Sequence, residues 1–543
     1  APIYGLLLFL SLTGLLSCDQ LPERDTQELF RYNEAAGISS LDPAFARNQA
    51  NIWATHQIFS GLVQMDENLE IRPAIAREWS IEDSGRRYLF QLREDVLFHH
   101  DSCFASPAAR KVTAQDFCYS FDRLQSPQLA APGAWVMQQV KSYRALDSFT
   151  LEINLHEPFP PFLGLLSMQY CSVIPQEAIE LYGKAYRSHP VGSGPFRFKM
   201  WEENEKLILR RNPDYYEKDS MGNSLPYLEA IAISFIPDKQ SAFLEFVKGN
   251  LDLISGIDAS YKDELLTRQG ALREKYRDRF LLYRQAYLNT EYLGFQLDSS
   301  ARVSQNSPLL NKKVRQAINY SFDRKKMMRY LRNNIGTPAL AGFIPRGLPA
   351  YNPTRVRGYR YDPGKARQLL KEAGYPRGEG LPPLTLQTNS SYRDICEYIQ
   401  SEARKVGIPL EVEVTPPSTL RQGMATGKVP FFRGSWIADY PDAENYLSLF
   451  YGPNAAPEGP NYTRFSSSHY DSLYRAARGL SDPQERRDLY QQMDSIIVEE
   501  APVVPLYYDQ VLRFFPRHVR DLGGNAMNLL DLKGVWKSRP PEG

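Results

Sequence analysis

Several things are scarce in this chain of 543 residues. Cysteine occurs five times with no CxxC, which leaves a zinc-ribbon or thioredoxin-like site without support. Histidine occurs only seven times, in no paired spacing suited to acid–base catalysis. Charge is balanced: 64 Lys and Arg against 63 Asp and Glu give a formal net charge of +1. There is no global basic field to hold nucleic acid and no acidic tail. Apolar runs of membrane-spanning length, internal repeats, and Gly/Ser or Pro-rich linkers are all missing, so integral membrane and fibrous classes are excluded. Aromatics, in contrast, are plentiful: 33 Tyr, 27 Phe and 6 Trp. Such side chains serve either large cores or ligand-facing surfaces that need broad area with a polar tip. The length is about three to four times that of a typical domain, so two or three cores are expected.

The longest apolar run, Ile3 to Leu16, has the length of a secretion-signal core and falls short of the roughly 20 residues of a spanning helix. Leu15-Leu16-Ser17-Cys18 follows it and resembles the lipobox of bacterial lipoproteins, which makes Cys18 the expected lipidated first residue of the mature chain. An ordinary cleaved signal with an incidental cysteine leaves the same trace. Cys103, Cys118, Cys171 and Cys396 are even in number, so in an oxidising compartment one or two disulfides are possible, with no pairing favoured.

The rest reads as mixed α/β. Thr113-Ala114-Gln115-Asp116 opens a helix with a capping-box pattern, Asp362-Pro363 opens another that Gly374 stops, and Ser481-Asp482-Pro483 a third. Val314, Ala317, Ile318 and Phe322 mark a further apolar helix face, and Asp323 caps the next helix. Alternating runs at 88–93 and 149–155 are strands, and 196–201 answered by 206–209 is a hairpin.

Ser40-Leu41-Asp42-Pro43, Ala74-Ile75-Ala76-Arg77-Glu78-Trp79, Val112-Thr113-Ala114-Gln115-Asp116-Phe117 and Gly192-Ser193-Gly194-Pro195-Phe196 stand in one order along the chain. They are followed by Asn212-Pro213-Asp214-Tyr215-Tyr216, Val314-Arg315-Gln316-Ala317-Ile318, Trp436-Ile437-Ala438-Asp439-Tyr440 and Val503-Val504-Pro505-Leu506-Tyr507-Tyr508. The series resembles the family 5 extracellular solute-binding proteins, the oligopeptide and dipeptide receptors of ABC importers. The resemblance implies an α/β, two-lobed periplasmic-binding-protein fold (type II, cluster C) with an inserted domain and two hinge strands. Carried onto this chain, lobe I comprises 19–59, 186–285 and 504–543, the inserted domain 60–185, and lobe III 286–503. The expected crossings are Phe280 to Tyr287 and Pro502 to Tyr508. Two short connections permit hinge closure over a ligand.

A buried peptide needs a partner for its ammonium, its carboxylate and its backbone. The resemblance gives Asp439 the ammonium and Ser435, Trp436, Ile437 and Ala438 the ligand backbone as an added strand, with Arg47, Asn48 and Gln49 on the opposite edge. It offers Arg433 to the ligand carboxylate, with a solvated arginine as the bland alternative, and Tyr292 as a further contact; Arg393 lies near another carboxylate-contact region of the family without matching its residue type. Trp436 walls a pocket or fills a core, and Asp439 alternatively caps the turn before Pro441. Pro416-Pro417 stands where some members place a pocket tryptophan.

The function so implied is a lipid-anchored receptor in the cell envelope, on the periplasmic or extracytoplasmic side. It captures peptides, delivers them to a permease with its ATPase, and acts as a monomer without cofactor, catalysis or nucleic acid. A nickel chelate, haem or an oligosaccharide on the same scaffold is the alternative, and a peptide hydrolase the alternative of another class. His99-His100-Asp101 with Cys103 lacks a second ligand cluster, Gly192-Ser193-Gly194 is not a nucleophile elbow, and Gly378-Glu379-Gly380 runs into prolines where a dinucleotide loop needs a helix.

Overall fold

The computed structural model describes residues 28–105, 110–258, 260–480 and 482–538. The apolar run at 3–16 and the lipidation candidate Cys18 lie outside the described residues. In chain order the elements that matter are β1 (Leu29–Asn33), α1 (Gln49–Ile58), β2 (Ala76–Glu82), β3 (Arg87–Leu92), α2 (Ala114–Gln125), β4 (Val140–Asp147) and β5 (Thr150–Leu155). Next come the hairpin β6 (Phe196–Glu202) and β7 (Lys206–Arg211), then β8 (Ala230–Ser234), β9 (Ile254–Ser255) and the long β10 (Phe280–Phe295). The remainder is α3 (Lys312–Tyr320), α4 (Arg324–Leu331), α5 (Pro363–Glu372), β11 (Leu384–Thr388), α6 (Arg393–Arg404), β12 (Leu410–Val414), β13 (Phe431–Ile437), α7 (Ser468–Gly479), α8 (Pro483–Glu500) and β14 (Val503–Pro516).

Local signals in the sequence account for most of these starts. The Thr113 hydroxyl and backbone N–H both donate to Asp116, 2.8 Å each, closing the capping box of α2. Asp362 accepts from Lys365 N–H and Pro363 opens α5, whose Ala366, Leu369 and Leu370 are buried; Gly374 follows at φ +93°. Burying each such leucine contributes roughly 1.5–3 kcal/mol. Gly192 and Gly194 meet the end of α1 so closely that a Cβ would lie 2.1 Å and 2.7 Å from the Ile58 carbonyl oxygen. Packing against backbone, not chemistry, fixes this Gly-Ser-Gly.

Three sheets organise the molecule. One runs β1-β8-β7-β6, a second β2-β3-β5-β4, and the third β9-β14-β10-β13-β11-β12. The first two share one continuous apolar cluster, whereas the β13 end of the third sheet separates two others, one around α3, α5 and α6 and one around α7 and α8. β10 and β14 pair antiparallel from Phe280↔Pro516 to Gly294↔Val503, with the register broken between Ala286 and Thr290. This is the hinge, and its strands continue well beyond the crossings expected from sequence. β9 pairs with the C-terminal end of β14, and β13 with the C-terminal half of β10.

Three arginines are buried in carbonyl cages. Arg315, from the Val-Arg-Gln-Ala-Ile motif, donates to the carbonyls of Leu309, Leu310, Glu500 and Ala501, tying the end of α8 to the start of α3. Arg324 holds Pro505 and Asn319, and Arg513 holds Gly523 and Leu529. Burial lowers the pKa of each to about 10.

The possible disulfides are absent: all four cysteines within the described residues are free. Cys118 and Cys171 lie in the large shared cluster and Cys396 in the core of the other lobe, each among apolar neighbours. Burial raises their thiols, to about 12 for Cys171 and about 11 for Cys396.

The lobes also touch away from the hinge. Tyr440 joins the cluster of the first two sheets, its ring 6.2 Å edge-on from Phe159, and the Arg478 guanidinium of α7 sits 5.6 Å over that same phenylalanine.

Candidate functional site

β13 leaves the core at its C-terminal end. Phe431 and Phe432 are fully buried, while Ser435 and Ile437 are exposed, Ile437 at 50%. On one side all seven residues pair with β10; on the other, β11 pairs only at Gln387↔Phe432. Among the described strands none covers the second edge from Gly434 to Ile437. Ala438 N–H donates to Leu288 O at 2.9 Å, and this sets the phase of the ladder. The backbone groups of Gly434 and Trp436 point at β10, and those of Ser435 and Ile437 point at the open edge.

Asp439 stands at the exit of this strand, open to solvent. Asn445, buried behind it, sets its position: its amide donates to Asp439 Oδ2 (3.3 Å), and its carbonyl oxygen accepts from Asp439 N–H (3.2 Å) and from the Trp436 indole N–H (2.8 Å). Trp436 is therefore partly buried against the core. The Asp439 carboxyl is raised above the ordinary aspartate range because surrounding protein strips it of water, against the opposing Asn445 hydrogen bond; no cation contributes. The residue nonetheless remains exposed.

Arg47, Asn48 and Gln49 are all exposed at the start of α1. The Asn48 side chain caps that helix, accepting from Asn51 N–H at 3.0 Å, which leaves Arg47 and Gln49 to face outward. Burial raises the Tyr170 hydroxyl to about 12, and the charges of Asp439 and Arg47 act on it with opposite sign. The ring is seated against Gly133, where a Cβ would come within 2.2 Å of it. Gln49 also lines a cavity of about 510 Å³ that reaches Tyr287 and Asp509 at the hinge. Asp509 titrates near 6, raised first by burial and also by nearby Glu291.

The other sequence candidates are placed differently. Arg433 is buried at 6% and paired with Glu291, itself 1% exposed. Tyr292 is not a cleft residue: it is 2% exposed, edge-to-face with Phe343 at 5.1 Å, in the core. Residues 289, 291 and 293 of β10 share one face, so 292 points to the other. Arg393 pairs with Glu397 at 2.7 Å on the outer surface of α6 and joins none of the others; its neighbour Tyr392 stacks on Arg433 instead. Pro417 starts a short helix, Pro417–Ala425. His99 is a buried core histidine bonded to Gly194 O at 2.9 Å, with its pKa lowered to about 4 by burial, and no group of potential metal ligands forms among the described residues. Tyr170 and Glu291 were invisible in the sequence because each reaches its place through contacts distant along the chain, whereas Asn445 stands only six residues from Asp439 but in no motif that marks it.

The model of the bacterial extracellular solute-binding proteins, family 5 (middle region), matches residues 70–458. Heme-binding protein A of Haemophilus influenzae is 28% identical over 475 residues, covering 83% of this chain and 82% of its own. Among solved structures, DppA of Helicobacter pylori in complex with the peptide STSA is 26% identical, with a TM-score of 0.73 over 94% of this chain and 98% of that one. HbpA2 of Haemophilus parasuis shares the fold with a TM-score of 0.81, at 24% identity over 94% of this chain and all of the other. DppA is named as an ABC transporter-associated periplasmic binding protein, and no described helix is long and apolar enough to cross a membrane. The chain belongs to the family 5 bacterial extracellular solute-binding proteins, the receptors of ABC importers.

Proposed function

We propose that this receptor captures peptides, pairing the ligand ammonium with Asp439 and adding the ligand backbone to the open edge of β13 at Ser435 and Ile437. The observation that carries the reading is Asp439 itself, a desolvated carboxylate without a cation of its own at the end of an unpaired strand edge. Backbone pairing ignores side-chain identity, so selectivity for sequence is broad. Arg47 and Gln49 close the opposite wall, and Tyr170 bridges the two. The division into lobe I (19–59, 186–285, 504–543), inserted domain (60–185) and lobe III (286–503) belongs to this proposal. So do a lipid anchor on Cys18, a monomeric state and delivery to a permease with its ATPase.

Calorimetry with a mixed tetrapeptide pool tests it. Asp439→Asn weakens binding at least about 30-fold, since removing one member of a buried charge pair costs roughly 2 kcal/mol or more. N-acetylation of the peptides does the same to the wild type. Binding also fades in acid at a higher pH than an unperturbed aspartate dictates, because the raised carboxyl must be ionised to meet the ammonium. Unchanged affinity for acetylated peptides overturns the assignment. The haem-binding relative favours a second reading: a haemin titration that saturates one site, with Asp439→Asn unaffected, replaces the peptide with haem.

A further inference from the structure

The carboxyl end of the ligand poses a separate question, and the hinge side of the cleft bears on it. Arg433 and Glu291 lie on neighbouring antiparallel strands, with Leu293 opposite Arg433 and Ser435 opposite Glu291. They are diagonal neighbours on one face. Both are more than nine-tenths buried, and a guanidinium N–H of Arg433 donates to Glu291 Oε2. The other carboxylate oxygen, Oε1, accepts from the Tyr392 hydroxyl (3.2 Å) and the Asn289 amide (3.1 Å). Tyr392 covers the guanidinium with its ring and carries a second arginine, Arg332, 5.9 Å from its centroid. Arg332 is likewise taken, by Asp394 at 2.8 Å. Each cation around Tyr392 thus has an acid of its own. Asp509, held by the same Asn289 amide at 3.2 Å, adds a further negative group.

From this arrangement we infer that Glu291 occupies on Arg433 the place of a ligand carboxylate, so that the receptor grades peptides by their amino end and is indifferent to a free carboxyl end. The inference rests on the peptide reading above and assigns the specificity of the same cleft. An incoming carboxylate that took Arg433 would strand Glu291 as an unpaired charge in a dry site, beside Asp509 of like sign. A C-terminal amide meets no such conflict. Glu291 is a positioning and specificity residue here: it touches Arg433, not the ligand.

The test is a competition between the same random tetrapeptide pool prepared as free acids and as C-terminal amides, mixed equally and offered to the full chain, with the retained peptides weighed by mass spectrometry. The retained acid-to-amide ratio stays within about threefold of unity for the wild type. Glu291→Gln keeps the side-chain shape but frees Arg433, and moves the ratio to at least about tenfold in favour of the acids, a charge-assisted bidentate gain. The double variant Glu291→Gln/Arg433→Met, which strands no charge, returns the ratio to near unity and guards against a folding defect of the single variant. A wild-type preference for acids beyond tenfold that Arg433→Met abolishes overturns the inference while leaving the peptide reading intact. Retention of neither form overturns both.

Discussion

Asp439 was legible as a candidate because a short motif carries it, but its surroundings were not. The seating by Asn445 is local, six residues along the chain, but the approach of Tyr170 is a long-range fact. Tyr292 shows the opposite failure: the right segment, Asn289 to Tyr292, with the wrong parity, since period two puts Glu291 and not Tyr292 on the face of Arg433. Another acid lay outside any motif. Asp494 of α8 is 3% exposed, accepts from Phe343 N–H at 2.6 Å, and burial lifts its pKa to about 7. The unfolded chain releases this proton near pH 4 and the folded one holds it to about pH 7. Native protein therefore binds more protons across that window, and the contribution of Asp494 to stability declines as pH rises through it. Asp494→Asn removes that slope: the gap in unfolding free energy between wild type and variant shifts against the wild type by up to about 1.4 kcal/mol per pH unit between pH 4 and 7. Denaturant titrations at pH 4.5, 5.5 and 6.5 measure it, and parallel curves would refute it.

Among the elements, helices with side-chain caps and alternating strands followed from local chemistry: α2 and α5 begin where Thr113 and Asp362 place them. The hinge strands were underestimated, because the continuation of β10 to Phe295 and β14 to Pro516 depends on their pairing with each other and not on residue pattern. The ladder phase of β13 gives an element-level prediction. Ile437→Pro removes an N–H aimed at the open edge; it spares the fold and weakens peptide binding by up to about tenfold. Trp436→Pro removes an N–H aimed at β10 and lowers the melting temperature. Thermal melts beside calorimetry separate the two, and equal destabilisation by both would contradict the assigned phase.

The whole molecule closes on more than its hinge. Phe159 contacts both Tyr440 and Arg478, so the segment just after β5 grips the segment that follows β13 one residue from Asp439. Arg478→Met removes the cation from the phenylalanine face, an interaction worth about 0.5–2 kcal/mol. It weakens ligand affinity by up to about thirtyfold without touching the ligand, and small-angle scattering finds the unliganded variant more extended than the wild type. An identical radius of gyration and affinity would make this contact passive. Fold class could be read from the order of motifs along the chain; the grip could not, because Phe159 and Arg478 are 319 positions apart and neither stands in a motif.

The free thiols have a practical consequence. Cys118 and Cys171 lie in one core and Cys396 in another, all unreactive while covered. Each is a built-in clock for the opening of its own region: timed alkylation followed by peptide mapping would report whether the two halves unravel together or in turn, and which of them a bound guest locks.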